Sequence, residues 1–314
     1  MKKKWFNILK IAISAIMLVY ILLTVDLNEL GQAVLGARWG YLIAAALLMI
    51  ASVPLRAIRW SVLLRALDIR VPFVRLVKLY FVGTFFNIFL PTGFGGDAIR
   101  MMELSRLSKQ TPEAIGTVLV DRATGLWVLF ALGLIALPFG QSLLPRETAL
   151  LVGGVAAVGL VGGWAAMATR LLPWLGARVK LPGQAKLERF YRSVSGCGYA
   201  ALGRACGVSL LFNLLNITVH FLIARGMRVD LPLSVFFMFT PILSISLMLP
   251  SVGGLGVREE TFKQLYRTVG VADGVAVAMS LTNFVLQPVL PGLIGGILYA
   301  IEGASELSQS EAKP

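Results

Sequence analysis

The chain has 314 residues, of which 57% are hydrophobic and only 14% are charged, about half the charged fraction of an average soluble domain. Lys and Arg number 29 against 16 Asp and Glu, so the net charge is +13. This composition excludes a soluble globular enzyme, a disordered protein and a secreted disulfide scaffold, and it lacks the polar surface of a nucleic-acid-binding protein. It predicts an all-α, polytopic membrane protein whose cations lie in the loops.

Six apolar runs are long enough to cross the ~30 Å hydrocarbon core of a bilayer. The first follows three lysines, but it is too long for a signal peptide and is interpreted as a spanning helix. The last contains Pro288 and Pro291, so we expect a kink there, or a division into a helix and a short return. In chain order the runs are 8–25, 39–55, 114–139, 148–168, 205–224 and 271–301.

Two further apolar runs, 76–90 and 232–249, end in Leu-Pro and continue into small residues instead of a charged loop. Proline cannot continue a helix and paired glycines expose backbone, which a membrane tolerates only where it is buried in protein or lines a cavity. We therefore predict two re-entrant, broken-helix elements. Each break has a proline followed by a glycine pair, namely Pro91 with Gly95 and Gly96, and Pro250 with Gly253 and Gly254.

The two broken runs resemble each other at an offset of 158–160 residues. Pro72 lies just before the first run and Pro232 begins the second, and Arg100 and Arg258 follow the two glycine pairs at the same spacing. This pattern predicts an internal repeat within a single transmembrane domain, residues 1–314. The first copy covers about residues 39–138 and the second about residues 200–301.

The distribution of cations chooses between two topologies, because cytoplasmic loops carry an excess of Lys and Arg. If both broken runs return to the side they entered and the N-terminus lies inside, 20 cations are inner and 7 outer. If both runs cross fully, the split is 13 to 14. The first topology is favoured, and in it the two runs enter from opposite faces. It predicts an inverted repeat, which is typical of alternating-access carriers.

Two adjacent charges, Asp121 and Arg122, lie inside the run 114–139. A charge at mid-bilayer costs at least roughly 2.5–3.5 kcal/mol, and such residues usually mark a functional site. A snorkelling pair near the interface is the alternative interpretation. Neighbours on a helix do not face each other, so the two side chains should have separate partners.

Further polar residues flank the two breaks. The start of a broken helix attracts anions, and an arginine can bind a phosphate through two nitrogens. Alternatively, these arginines cap loop ends or neutralise nearby carboxylates, and the amides only form hydrogen bonds between helices. The predicted substrate-binding residues are Asn87, Asp97, Arg100, Asp121, Arg122, Arg258 and Glu259.

The segment 169–204 is basic and partly amphipathic, which predicts an inner-face helix on anionic lipid or, alternatively, a solvated loop. The chain contains one histidine, His220, and two cysteines, Cys197 and Cys206. These residues lack the spacing of metal ligands, so we predict neither a metal site nor a cofactor.

Three motifs carry a resemblance to a known family: GTFFNIFLPTGFGGDAIRMMEL at 83–104, DRATGL at 121–126 and PSVGGLGVREE at 250–260. In content and order they resemble the flippase-like family, also called the lysylphosphatidylglycerol synthase transmembrane region. Its best-known members fuse this region to an aminoacyl-transferase domain, and the membrane region moves the aminoacylated phospholipid between leaflets. The resemblance implies a stand-alone membrane protein without the synthase domain. It also implies that the residues at the positions matching the family's motifs are functional. These residues are Asn87, Pro91, Gly95, Gly96, Asp97, Arg100, Asp121, Arg122, Gly253, Gly254, Arg258 and Glu259.

Residues and resemblance together predict a lipid translocase, not an enzyme, in a bacterial or archaeal plasma membrane with a cytoplasmic N-terminus. The expected partner is a lipid with an anionic or phosphate head group, and no nucleic acid. One alternative is a membrane-embedded lipid-phosphate transferase, which would need clustered carboxylates to hold Mg²⁺. Another is a non-catalytic scaffold for a separate lipid-synthesis enzyme.

Overall fold

The computed structural model describes residues 27–89, 95–108, 111–167, 184–247 and 256–311. All regular secondary structure within these ranges is helical. The first predicted crossing, 8–25, lies outside them, and so do the break residues Pro91, Pro250, Gly253 and Gly254.

The described residues form eleven α-helices, and two short helices of other types join neighbouring α-helices. The two short helices are a 3₁₀ turn, Gln141–Leu143, and a π-helix, Val285–Val289. The helices are α1 Leu27–Leu35, α2 Trp39–Ala66, α3 Phe73–Phe89, α4 Gly95–Ser108, α5 Thr111–Gly140, α6 Arg146–Met167, α7 Gln184–Gly226, α8 Leu233–Ser246, α9 Val257–Arg267, α10 Asp273–Phe284 and α11 Leu290–Glu311.

Five helical segments are long and apolar enough to cross a membrane. They coincide with the last five predicted runs, and they confirm an all-α, polytopic, integral membrane protein. The segments are Trp39–Ala66, Glu113–Gly140, Arg146–Ala165, Gly196–Gly226 and Asp273–Ile301.

Two of the predicted crossings differ from the structure in extent. Helix α2 continues past the predicted end at Leu55 to Ala66, so Arg56 and Arg59 lie on a helix and not in an inner loop. The helix can hold Arg59 because the guanidinium finds partners inside the protein, as described below. The last run is one continuous helical element without a short return, since the π-helix containing Pro288 accommodates the missing amide.

The two broken runs correspond to α3 with 17 residues and α8 with 14. Both fall short of the ~20 residues of a typical transmembrane helix. Helices α4 and α9 begin close after the breaks. Because the breaks lie outside the described ranges, re-entry into the membrane stays a prediction.

The turns after α2 and α7 have the same backbone geometry. Asp68 and Arg228 adopt φ angles of 57° and 61°, and no other non-glycine residue in the described part of the chain has a positive φ. In the first turn the amide of Ile69 donates to the carbonyl of Leu64 at 3.0 Å, and in the second the amide of Val229 donates to the carbonyl of Ala224 at 2.8 Å. Each bond reaches back five residues. This is the Schellman ending of a helix. The two turns are 160 residues apart, the offset found between Pro72 and Pro232.

Helices α2 and α7 pack against each other in antiparallel orientation. The amide of Arg38, just before α2, donates to the carbonyl of Gly226 at the end of α7 at 2.8 Å. Further along, Arg59 Nη1 donates to Ser209 Oγ at 3.1 Å. The two matching turns therefore lie at opposite ends of this pair, as an inverted repeat requires. Which end faces the cytoplasm stays a prediction.

The predicted inner-face segment 169–204 is only partly described. Residues 168–183 lie outside the described ranges, and the remainder forms the first part of α7. The helical geometry is interrupted at Gly198, which has a φ of 70°. The location of this segment on a lipid surface stays a prediction.

Candidate functional site

A cavity of about 350 Å³ lies between the helices of the two predicted repeat copies. Side chains from α2, α3, α4, α5, α7, α8, α9 and α10 surround it. Six of the seven predicted substrate-binding residues line the cavity, namely Asn87, Asp97, Arg100, Asp121, Arg122 and Arg258. The seventh, Glu259, contacts Arg258 without lining the cavity.

Asp121 accepts hydrogen bonds from three different helices. Arg59 on α2 donates from Nε at 2.7 Å, Tyr80 on α3 from its hydroxyl at 2.5 Å, and Arg100 on α4 from Nη2 at 2.9 Å. The carboxylate is 1% exposed, so it is no snorkelling group at an interface. Asp121 therefore joins α5 to three neighbours and fixes the positions of two arginines at the cavity wall.

Arg122 has a different partner from Asp121. Its Nη1 lies 3.1 Å from Oδ2 of Asp97, which sits in the first turn of α4. The side chain of Arg122 is 30% exposed, against 1% for Asp121. The prediction of separate partners for these adjacent charges is confirmed.

Arg100 contacts both carboxylates on its side of the cavity. Its Nη1 donates to Asp97 at 3.2 Å and its Nη2 to Asp121, while its buried Nε has no partner in the described ranges. The guanidinium carbon lies 3.8 Å from the ring centroid of Tyr80 and 4.2 Å from that of Trp60. Cation–π attraction to both rings therefore helps to fix its orientation. The alternative interpretation, that an arginine beside a break neutralises nearby carboxylates, therefore applies to Arg100.

Glycines allow the close approaches on which the cavity wall depends. A Cβ at Gly125, in the DRATGL motif, would lie 2.4 Å from Nη1 of Arg59. A Cβ at Gly96 would lie 2.1 Å from the carbonyl oxygen of Gly83, where α3 and α4 touch. The amide of Gly96 also donates to Oδ1 of Asn87 at 2.6 Å, so Asn87 holds the start of α4.

Arg258 is the corresponding arginine on the other side of the cavity. Its Nε donates to Ser280 Oγ at 3.1 Å, its Nη2 pairs with Glu259, and its guanidinium carbon lies 4.4 Å from the centroid of Phe284. Glu259 also accepts the amide of Gly256 at 2.6 Å, which closes the first turn of α9. Ser280 follows Asp121 by 159 residues, close to the repeat offset. Arg100 and Arg258 thus follow the two predicted breaks at corresponding positions, but they have different partners.

Sequence reasoning missed several residues of the cavity wall, above all Arg56 and Arg59. Both were assigned to an inner loop, where cations are common. The available signal was the continued apolar pattern beyond Leu55, with Ala57, Trp60 and Leu63 around an arginine pair at a spacing of three. Other lining residues not predicted as substrate contacts are Tyr80, Asn213, Asn216, Asn283 and Gln287.

Two of these amides pair between helices, as the alternative interpretation of intramembrane amides expects. Asn213 Nδ2 donates to the carbonyl of Gly125 at 2.9 Å, and Gln287 Nε2 donates to Asn216 Oδ1 at 2.9 Å. Oδ1 of Asn283 is buried without a partner among the described residues. Among the described residues, Oδ1 of Asn283 is therefore an unused hydrogen-bond acceptor on a residue that lines the cavity.

The histidine takes part in packing and not in a metal site. His220 is 4% exposed, and its Nδ1 bonds the carbonyl of Asn216 at 2.9 Å. Its ring stacks on Phe262 with centroids 6.2 Å apart. Across the described ranges, no group of three His, Cys, Asp or Glu side chains is placed to hold a metal ion.

Comparison with known proteins identifies the chain's relatives. The family model described as the lysylphosphatidylglycerol synthase TM region matches residues 7–295. A UPF0104 membrane protein of Pyrococcus horikoshii is 23% identical over 292 residues, which cover 82% of this chain and 86% of the relative. The matched region contains all five arginines that line the cavity, namely Arg56, Arg59, Arg100, Arg122 and Arg258. The resemblance drawn from the three motifs is thus confirmed, and the chain belongs to the family of lysylphosphatidylglycerol synthase transmembrane regions.

Proposed function

We propose that this protein is a lipid translocase. It moves an anionic or aminoacylated phospholipid, or a lipid-linked phosphate, between the two leaflets of the membrane. The observation that carries the proposal is the arginine-lined cavity inside a bundle of apolar, membrane-length helices. The proposal makes the chain a transporter and not an enzyme.

Charge inside the bundle supports this function. A lipid head group crosses the hydrocarbon core slowly because its charge must leave water, and a path lined by arginines offsets that desolvation. The cavity, about 350 Å³, has room for a head group but not for two acyl chains as well. The tails therefore stay in the bilayer while the head group passes through the protein.

The relation between the two halves suggests how access alternates. Arg100 and Arg258 approach the cavity from α4 and α9, each just after a predicted break. In carriers built from inverted repeats, such broken elements meet at a site near the midplane and rock to open one face at a time. On this proposal Arg100 and Arg258 contact the head group from the two sides.

The proposal includes a location and a partner. The protein lies in a bacterial or archaeal plasma membrane with its N-terminus in the cytoplasm. A separate lipid-synthesis enzyme produces the lipid on one face, and this protein distributes it to the other. Arrival at the second leaflet is then the readout that tests the function.

Transbilayer movement of a fluorescent anionic phospholipid in vesicles tests the proposal, with dithionite quenching of the outer leaflet as the measurement. Wild-type protein should accelerate movement over protein-free vesicles. Arg122→Ala should reduce the rate to that of protein-free vesicles, since Arg122 lines the cavity and is partly exposed to it. Its melting temperature should change little.

The matched control is Arg106→Ala. Arg106 also pairs with a carboxylate, Glu103, at 3.0 Å, but it is 71% exposed and does not line the cavity. This variant should transport at the wild-type rate. Wild-type protein that moves no anionic phospholipid would contradict the proposed function, whereas equal rates in wild type and Arg122→Ala would remove Arg122 from the path.

A further inference from the structure

Arg56 is a cavity-lining arginine for which the described residues supply no hydrogen-bond acceptor. Its Nε and Nη2 are buried and lack any hydrogen-bond acceptor in the described ranges, where no carboxylate forms an ion pair with it either. Its guanidinium carbon lies 5.4 Å from the ring centroid of Tyr80 and 5.5 Å from that of Phe212. These rings orient the cation, but they satisfy none of its donors.

Buried guanidinium nitrogens that lack hydrogen-bond acceptors lower the stability of the folded protein. The three other cavity-lining arginines of the first predicted copy each have a carboxylate, Asp121 for Arg59 and Arg100, and Asp97 for Arg122. The missing partner of Arg56 must therefore come from outside the chain's described residues. An anionic group in the cavity can supply it.

The charges around the cavity do not balance. Five guanidinium groups line it, from Arg56, Arg59, Arg100, Arg122 and Arg258. Against them stand the lining carboxylates Asp97 and Asp121, with Glu259 beside Arg258 as a third. The described residues thus leave an excess of two positive charges. Segments 90–94 and 248–255, which lie outside the described ranges, contain no charged residue.

We infer that the cavity binds a lipid whose head group is a phosphate monoester, and that Arg56 contacts the phosphate. A monoester carries between −1.5 and −2 charge at about neutral pH, which matches the excess, whereas a phosphodiester carries only −1. An aminoacylated phosphodiester adds an ammonium group, which the arginines repel. The inference rests on the proposed function for the lipid nature of the ligand, and it narrows the substrate class.

Calorimetric titration of the detergent-solubilised protein tests this inference without a transport measurement. The probes are dioctanoyl phosphatidic acid, a lipid monoester; dioctanoyl phosphatidylglycerol, a lipid diester; and glycerol 3-phosphate, a monoester without tails. We expect phosphatidic acid to bind at least about tenfold more tightly than phosphatidylglycerol, a difference of about 1.4 kcal/mol. Glycerol 3-phosphate should bind more weakly than phosphatidic acid, because it lacks the acyl chains.

Arg56→Gln should abolish the preference for the monoester, leaving the two lipids within about threefold of each other. Its melting temperature should stay the same or rise, because the substitution removes a charge with two buried nitrogens that have no hydrogen-bond acceptor among the described residues. A structural arginine would give the opposite shift. Arg65→Gln is the matched control, since Arg65 lies on the same helix, is exposed and does not line the cavity. This variant should keep the wild-type preference.

Three results would overturn the inference: equal affinities for the two lipids in the wild type, an unchanged preference in Arg56→Gln, or glycerol 3-phosphate binding as tightly as phosphatidic acid. The failure of this inference can be separated from failure of the proposed function. A binding preference without movement in vesicles contradicts translocation alone, and movement without a preference contradicts only the monoester assignment.

Discussion

The guanidinium of Arg59 on α2 donates from Nε to Oδ1 of Asp121 on α5 across 2.7 Å, with both side chains almost fully buried, at 6% and 1% exposed. Arg100 and Tyr80 bind the other carboxylate oxygen. The carboxylate of Asp121 thereby links four helices, α2, α3, α4 and α5. The same bonds hold two arginines at the wall of the cavity.

Asp121→Asn should destabilise the protein strongly. The substitution leaves Arg59 and Arg100 buried beside a neutral amide, and an unpaired buried charge costs roughly 3–5 kcal/mol. The measurement is a thermal unfolding curve in detergent, followed by size-exclusion chromatography of the heated samples. We expect a clear fall in melting temperature.

The control for this prediction is Asp230→Asn. Asp230 also pairs with an arginine, Arg225, but its side chain is 80% exposed. Exposed pairs contribute about 0–1 kcal/mol, so the melting temperature should barely move. Equal melting temperatures for Asp121→Asn and the wild type would show that the buried pair does not stabilise the bundle.

Gly125→Ala should displace Arg59 from its site. The added Cβ would lie 2.4 Å from Nη1 of Arg59, so either the arginine or α5 must shift. Overpacking of this kind costs about 1–3 kcal/mol, and loss of the bond to Asp121 adds to that cost. Thermal unfolding measures the effect.

Gly207→Ala is the matched substitution on α7, because a Cβ there would meet nothing within 4 Å. Replacing an unhindered helical glycine by alanine stabilises a helix by roughly 0.5–1 kcal/mol. The two variants should therefore shift the melting temperature in opposite directions. Shifts of the same sign and size would contradict the close approach of Arg59 to Gly125.

The predicted inverted repeat can be tested by the sidedness of its two matching turns. Arg70 and Asp230 are both exposed, follow the two matching turns and are 160 residues apart. Because α2 and α7 are antiparallel, cysteines at these two positions should lie on opposite faces of the membrane. In a background without Cys197 and Cys206, a membrane-impermeant maleimide should label Asp230→Cys in right-side-out vesicles. Arg70→Cys should react only after the vesicles are opened.

Labelling of both cysteines from the same face would contradict the inverted arrangement. Labelling from opposite faces with Arg70→Cys on the outside would keep the inversion but reverse the predicted orientation of the N-terminus. The experiment therefore tests the repeat and the positive-inside assignment separately.

Much of the site followed from single physical constraints on the sequence. Charges within or beside apolar runs need partners, which is why Asp121, Arg122, Arg100 and Arg258 could be picked out before any fold was known. The structure brings these residues to one cavity. The all-α architecture and five of the six crossings followed from the length of the apolar runs.

The rest depended on which helices pack together, and that information is not local. Arg59 and Asp121 are 62 residues apart, so their pairing could not be foreseen. Arg56 and Arg59 lie near the end of α2, where a cation normally marks a loop on the inner face. Only the packing of α7 against α2 shows that this part of the helix is enclosed.

On the proposed function, a lipid head group passes through the arginine-lined cavity. Filling that space while leaving every arginine in place tests it most directly, and Leu126→Trp does so because Leu126 lines the cavity. Leu150→Trp is the matched control, since Leu150 is 65% exposed on the bundle surface.

The decisive measurement is the rate of transbilayer movement of a fluorescent anionic phospholipid in vesicles that contain each variant, at equal amounts of folded protein. Movement should proceed at the protein-free rate in vesicles with Leu126→Trp and at the wild-type rate in vesicles with Leu150→Trp. Wild-type movement with the filled cavity would contradict a path through it.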